Sequence, residues 1–526
     1  MNDDQALRDF VAKYARPYDP ETDDYDRPPF AADIKEGKND PIYNAHSYHT
    51  KVPPRGIIPY ILHYTKPGDL ILDPFCGSGM TGVAAQMCAN PPAGLLEQFP
   101  ELKERVGPRH AILNDLSPAA CHIACNYNTP VNVDALKHEF GRIMAAVKDK
   151  FDWLYGTEHY EPAIGLYDPK NSDVAERLKN LSSEVQSSSR MFQGGPEQTW
   201  ELINRDEVER RLGYLVTDLP RSKGWGDLDM SRIDQWIAIP AIIQYTIWSD
   251  VYRCEGFVTV EEPTGRISTR GKNAGKPISR KNRVARGCGQ KLTLWHICRD
   301  GEAITDVFVC PSCGQQWEKV ALSWIGMVPV STDYTFCSPD GRGHRSHRPV
   351  STQEKARITE AKPDLWNLWY PAHPIYPFRE LMTMSANKRG VSTTADFYTR
   401  RNLTGLAILW QAISAIKEPR LRAFARFAFT AVIPYCCRKQ NYGGGGGGMS
   451  GTLYLPSFHQ EKNVWDVFVR KIEKLEKDFT TWKIPIDFVL TVTGSASQMG
   501  HVPDNSVDYV FTDPPFGGRS YWILGS

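Results

Sequence analysis

Leu70-Ile71-Leu72-Asp73-Pro74-Phe75-Cys76-Gly77-Ser78-Gly79-Met80-Thr81-Gly82 runs from an apolar strand through a glycine-rich turn into a helix, and its reading decides the fold. Glycines at such a crossing let the backbone pass close to a ligand, and the free amides at the helix start favour a carboxylate or phosphate. Gly77, Gly79 and Gly82 satisfy G-x-G-x-x-G, a pattern shared by several cofactors and by plain tight turns. Context has to choose among them.

Upstream, residues 55–65 read as a helix; downstream come a helix over 80–89 and a second strand, Ala111-Ile112-Leu113. That strand runs into Asn114-Asp115-Leu116-Ser117-Pro118, which places a carboxylate at its end, suited to ribose hydroxyls and to capping the helix that opens at Pro118. Asp115 lies 33 residues beyond Gly82, farther than the roughly 20 of nicotinamide sites, which weighs against a dehydrogenase.

Far downstream, strand character returns at Phe488-Val489-Leu490 and at residues 507–512, and leads into Thr512-Asp513-Pro514-Pro515-Phe516-Gly517. Prolines cannot continue a sheet ladder, so they end the strand in a rigid turn at its carboxyl end, where open α/β sheets bind ligands. The Asp513 carboxylate and the Pro514 carbonyl are acceptors for the two hydrogens of an exocyclic amine. Phe516 offers a flat face for an extruded base.

Asp73 to Gly79 followed by Asp513 to Phe516 resembles the DNA amino-methyltransferase family that acts on adenine N6 or cytosine N4. The stretch His46-Ser47-Tyr48-His49-Thr50-Lys51-Val52-Pro53-Pro54 is similar to the family segment that helps close the cofactor pocket. The motif order corresponds to members with their target-recognition region between the two motifs. The resemblance implies a Rossmann-like α/β sheet that uses S-adenosylmethionine, with Asp73, Phe75, Gly77 and Gly79 bordering the cofactor and Asp115 at its ribose. Asp513, Pro514, Pro515 and Phe516 then hold the target base for direct in-line transfer. Met80 stands where threonine is common, and Phe516 where tyrosine is commoner.

The fold expected is one doubly wound sheet split in sequence by a large, mostly helical insertion that carries a zinc ribbon. Residues 1–40 read as an N-terminal arm, 41–130 as the first part of the core, 131–250 as a helical insertion and 251–320 as a zinc ribbon with a basic loop. Residues 321–452 read as a helical target-recognition region ending in six glycines, Gly443 to Gly448, either a tether or a contact surface; 453–526 read as the second part of the core.

Twelve cysteines in 526 residues are too sparse for a disulfide scaffold, so spacing carries the information. Cys310-Pro311-Ser312-Cys313 is a knuckle that presents two thiolates to a tetrahedral ion, and Cys288-Gly289-Gln290 repeats its second half. Cys254 is the expected fourth ligand of a structural Zn²⁺, with Cys298 or His296 in reserve. Between Cys254 and Cys288, Arg266, Arg270, Lys272, Lys276, Arg280, Lys281, Arg283 and Arg286 form a run with no acidic residue among residues 266–286. Net charge is only +1, so attraction to double-stranded DNA must come from such a cluster, read here as a loop contacting phosphates.

The cysteines and Ser450-Gly451-Thr452-Leu453-Tyr454 suggest a bacterial subgroup associated with restriction or phage defence. The acidic, apolar-poor start and the lack of a membrane-length apolar run imply a cytoplasmic protein. Ten residues follow Phe516, whereas the family sheet has three more strands. Either the chain is a truncated product, or a second polypeptide completes the domain, or a half-sheet survives with degraded activity. A zinc-ribbon DNA-binding subunit without transfer is the alternative function.

Overall fold

The computed structural model describes residues 3–21, 23–31, 40–48, 51–163, 200–221, 228–269, 275–300, 303–304, 307–318, 322–337, 342–375, 386–443, 454–482, 488–500 and 502–514. Pro515, Phe516, Arg270, Lys272, residues 444–448 of the glycine run and residues 450–453 lie outside them. The chain divides into two compact units: Met1–Met144 with Ala412–Val432 and Phe468–Ser526, and Ala145–Gln411 with Ile433–Val467. No helix among the described residues is long and apolar enough to cross a membrane.

Among the described residues the first unit is built on four parallel strands, β1 (Leu70–Asp73), β2 (His110–Asp115), β3 (Val489–Thr493) and β4 (Tyr509–Val510), in the order β3-β2-β1-β4. The chain therefore steps from β1 outward through β2 to β3, then crosses back to lay β4 on the other side of β1. Asp508 fixes that pairing, because its carboxylate accepts from the Leu70 amide at 2.7 Å and its own amide donates to the Leu70 carbonyl at 2.9 Å. Strand order therefore reverses beside β1, and the carboxyl ends of β1 and β4 are the place where open sheets of this kind take ligands.

The N-terminal residues differ from the arm expected of them. Helix α1 (Asp3–Tyr14) packs Leu7, Phe10 and Val11 against Leu70 and Ile112 of the sheet. Their three- and four-residue spacing makes one apolar face, and burying it outweighs the pull of the acidic neighbours toward solvent. Helix α2 (Pro54–Tyr64) follows, and its Tyr64 stacks on Tyr509 with ring centroids 5.3 Å apart. Helices α3 (Met80–Met87) and α4 (Pro118–Asn128) complete the βαβ unit.

Among the described residues the insertion is not mostly helical. Its centre is a seven-stranded antiparallel sheet around the strand Gln235–Arg253, which pairs with Gly156–Pro162, Glu201–Asn204, Lys291–Thr293, Ser323–Cys337 and Phe458–Lys462. Most of the central strand's nineteen residues are buried. A strand covered on both faces loses the polar alternation that marks strands, and its length suits a helix equally well, so periodicity could not separate the two. Two buried ion pairs, Arg348 with Glu354 at 2.9 Å and Arg401 with Glu461, tie helices to this sheet. The helix Pro419–Val432, read as target recognition, belongs instead to the first unit. There Arg420 donates to the carbonyls of Thr129 and Pro130 at the end of α4, at 2.6 and 2.9 Å.

Candidate functional site

At the carboxyl end of β1 the chain turns through Pro74 to Gly79 into α3. Asp73 is 3% exposed; its carboxylate accepts from the Thr81 hydroxyl and, at 3.1 Å, from the Phe75 amide, so it ties the turn together from within. Phe75, in the turn after β1, is 39% exposed. Gly79 has φ +76°, and a Cβ there would meet the Ala124 Cβ at 2.6 Å. Its missing side chain thus lets the loop rest on α4. At Gly77, φ +51°, a Cβ would lie 3.0 Å from the Tyr48 ring.

Asp115 ends β2 and reaches the same loop. One carboxylate oxygen accepts from the Gly77 amide at 2.9 Å, the other from the Ser117 amide at 2.8 Å. The cap of α4 is not Asp115 but Ser117, whose hydroxyl accepts from the Ala120 amide at 3.4 Å. Each Asp115 oxygen keeps a lone pair for a further donor.

Three residues that sequence reasoning did not single out complete the frame. Asn114, fully buried, donates to the carbonyls of Pro74 at 3.2 Å and Gly494 at 3.0 Å and so joins the turn after β1 to the end of β3. Thr81 holds Asp73. Tyr48 lies against Gly77, and its hydroxyl is pushed up to about 12 by burial and then by the Asp115 charge. Its segment is anchored by His46, whose backbone amide donates to the Tyr127 hydroxyl at 2.7 Å and whose ring contacts the Thr430 hydroxyl at 3.0 Å. The similarity of residues 46–54 to a pocket-closing segment was the signal for Tyr48; Asn114 carries no sequence mark beyond adjacency to Asp115.

Asp513 lies two residues past Phe511, whose amide donates to the Leu72 carbonyl at 3.0 Å, so both motifs reach the same end of two adjacent strands. Asp513 and Pro514 are exposed. Burial pushes the Asp73 carboxyl up to about 6; the Thr81 and Phe75 hydrogen bonds oppose the rise, while the Asp115 and Asp513 charges add to it. The unfolded chain releases this proton near about 4, so between those values the native state binds more protons. Stability that Asp73 contributes below pH 4 is accordingly lost as pH rises through 6. Asp73→Asn should remove up to about 3 kcal/mol of fall in unfolding free energy between pH 4 and 7. Urea titrations of both proteins across that range check it; equal slopes would refute it.

In the second unit, Cys254, Cys288, Cys310 and Cys313 bring their sulfurs within 4.8 Å of one another. Cys254 to Cys313 and Cys288 to Cys310 are each 3.7 Å. A tetrahedral ion with Zn–S near ~2.3 Å sets sulfurs about 3.8 Å apart, so the donor set fits zinc with no large movement. The Cys310 amide donates to Gln315 O and the Gly314 amide to Cys310 O, both at 2.9 Å, which closes the knuckle between the paired strands Val307–Val309 and Gln316–Glu318. Cys298 is buried in the apolar cluster with Phe308 and Trp317, and His296 is exposed; neither belongs to the thiol group.

The basic run is not a loop throughout. Gly256–Ile267 and Pro277–Arg286 pair antiparallel as a two-stranded ribbon, with Arg266, Arg280, Lys281 and Arg286 exposed along it and Lys276 exposed beside it; Arg283 lies within the second strand. The charges hid the β-formers Ile278 and Val284 that lie among them.

Comparison with curated proteins and with solved structures finds no match. Residues 17–102, which span α2, β1 and the glycine turn, match a family model described as DNA methylase, a likeness that supports DNA methylation as the general activity of this chain.

Proposed function

We propose that this chain is a site-specific DNA methyltransferase that moves the methyl group of S-adenosylmethionine to the exocyclic amine of adenine (N6), with cytosine (N4) the second choice, in bacterial restriction or phage defence. The observation that carries this reading is the meeting of the Asp73 turn and Asp513-Pro514 at the carboxyl ends of adjacent parallel strands. The Asp115 carboxylate, with a lone pair left on each oxygen, suits ribose hydroxyls, and the exposed Phe75 ring suits an adenine. S-adenosylmethionine supplies an electrophilic methyl group. Asp513 and the Pro514 carbonyl would accept the two amine hydrogens and aim the nitrogen lone pair at that methyl group, with S-adenosylhomocysteine as the leaving thioether and one amine proton passing to solvent. Zinc on the four cysteines is structural, because four protein ligands leave no open position.

The thiol cluster and the basic ribbon both lie in the second unit, which favours as a second reading a DNA-binding subunit without transfer. Cofactor binding separates the two. Titration calorimetry of the chain with S-adenosylmethionine should give saturable binding, and Asp115→Ala should weaken it roughly ten- to hundred-fold, since a charge-assisted contact and the hold on Gly77 are lost together. No binding by the parent chain would leave only the second reading.

A further inference from the structure

We infer that the ribbon Gly256–Ile267/Pro277–Arg286 is a reading arm for the major groove of double-stranded DNA, with Arg280 and Asn282 on base edges and Lys281 on phosphate. The inference rests on DNA as the partner but not on methyl transfer. Strand register divides the arm into two faces: Arg280 opposite Glu262 and Asn282 opposite Val260 share one face with Ile278, which pairs with Arg266 beyond a break in register after Pro263. Lys281 opposite Glu261 and Ser279 opposite Pro263 are on the other.

Residues 261–267 and 277–281 are exposed, and the ribbon has no third strand among the described residues. Ile278, on the same face as Arg280 and Asn282, is 41% exposed. Two strands about 4.8 Å apart and roughly 30 Å long fit a major groove about 12 Å wide, which admits a two-stranded ribbon.

The chemistry of the first face is that of base recognition. Arginine matches guanine O6 and N7, asparagine matches adenine N6 and N7, and an exposed isoleucine suits a thymine methyl group. Five basic residues against two acidic ones give the arm the sign that phosphates require. The acidic pair is engaged within it: Glu261 lies 3.4 Å from Lys281, and Glu262 accepts from Asn282 at 2.5 Å. In the groove Asn282 exchanges Glu262 for a base, and the freed carboxylate is an acceptor for a cytosine amine. Cys254 and Cys288 stand two residues outside the two strands, so the thiol cluster grips both at the root. A gripped root holds side chains in register, which base reading needs and phosphate contact does not.

The test is selection of duplexes from a random-sequence pool by the full chain and by Arg280→Ala, Asn282→Ala and Lys281→Ala, followed by titration of the selected duplex. The parent should enrich one sequence. Arg280→Ala and Asn282→Ala should each relax the preference at one position by roughly 5- to 150-fold, and 7-deazaguanine at the Arg280 position should mimic the first without adding to it. Lys281→Ala should weaken all duplexes alike and lower the salt slope by about 0.9. A parent without sequence preference, or an unchanged preference in both Arg280→Ala and Asn282→Ala, would overturn the arm. If the chain binds no S-adenosylmethionine yet Arg280→Ala relaxes the selected sequence, the transferase reading fails and the arm stands.

Discussion

Asp513→Ala should lower methyl transfer by about 10²- to 10³-fold while S-adenosylmethionine binding stays nearly intact. In the proposed reaction the carboxylate fixes the amine hydrogens and faces the positive charge that grows on nitrogen as the methyl group arrives. An aligned acceptor of this kind is commonly worth about 3–4 kcal/mol at the transition state and much less in the ground state. The side chain is exposed and makes no hydrogen bond among the described residues, so its removal costs the fold little. Neither the Asp115 bond to Gly77 nor the Thr81 bond to Asp73 involves it, which is why the cofactor side should be spared. Asp513→Asn keeps an acceptor without the charge and should fall between the parent and the alanine variant. Single-turnover transfer with saturating cofactor and duplex reads both, and transfer by Asp513→Ala above a tenth of the parent rate would sink the assignment.

Cys313→Ser should drop bound zinc from close to one ion per chain and unfold the knuckle around it. Structural zinc on thiolates is commonly worth ~10 kcal/mol or more of apparent binding energy. No single packing contact in so small an element matches that, although Phe308, Trp317 and Leu322 share a buried cluster with Cys254 and Cys310. The expected result is therefore local unfolding, read as fast amide exchange over residues 307–318, and not a small shift in the midpoint of the whole chain. Loss of the ion also frees the ribbon root at Cys254 and Cys288, so duplex affinity should fall together with zinc content. Metal analysis of freshly prepared protein that finds no zinc would reject the site.

Much of the first unit was legible because its signals are local. Three apolar residues before Asp73, glycines after it and an acidic residue closing the next apolar run specify strand, turn, helix and strand within one stretch of chain. The spacing of the cysteines likewise pointed to the four thiols that lie together, since a knuckle fixes two of them and Cys288-Gly289-Gln290 repeats its second half. The insertion misled for the opposite reason. The buried strand Gln235–Arg253 has partners from as far back as Gly156 and as far on as Lys462, and such pairing leaves no period in the strand itself.

Sequence alone therefore determined which residues form the turn, the two carboxylate motifs and the candidate metal knuckle, because backbone geometry and ligand chemistry act over a few residues. Tertiary structure alone decided that α1 covers the sheet, that Asn114 bolts Pro74 to Gly494, that Tyr48 lies on Gly77 and that the basic run is a ribbon with two distinct faces. Each of those rests on a contact between residues remote in the chain, whose energy appears only once the strands between them have paired.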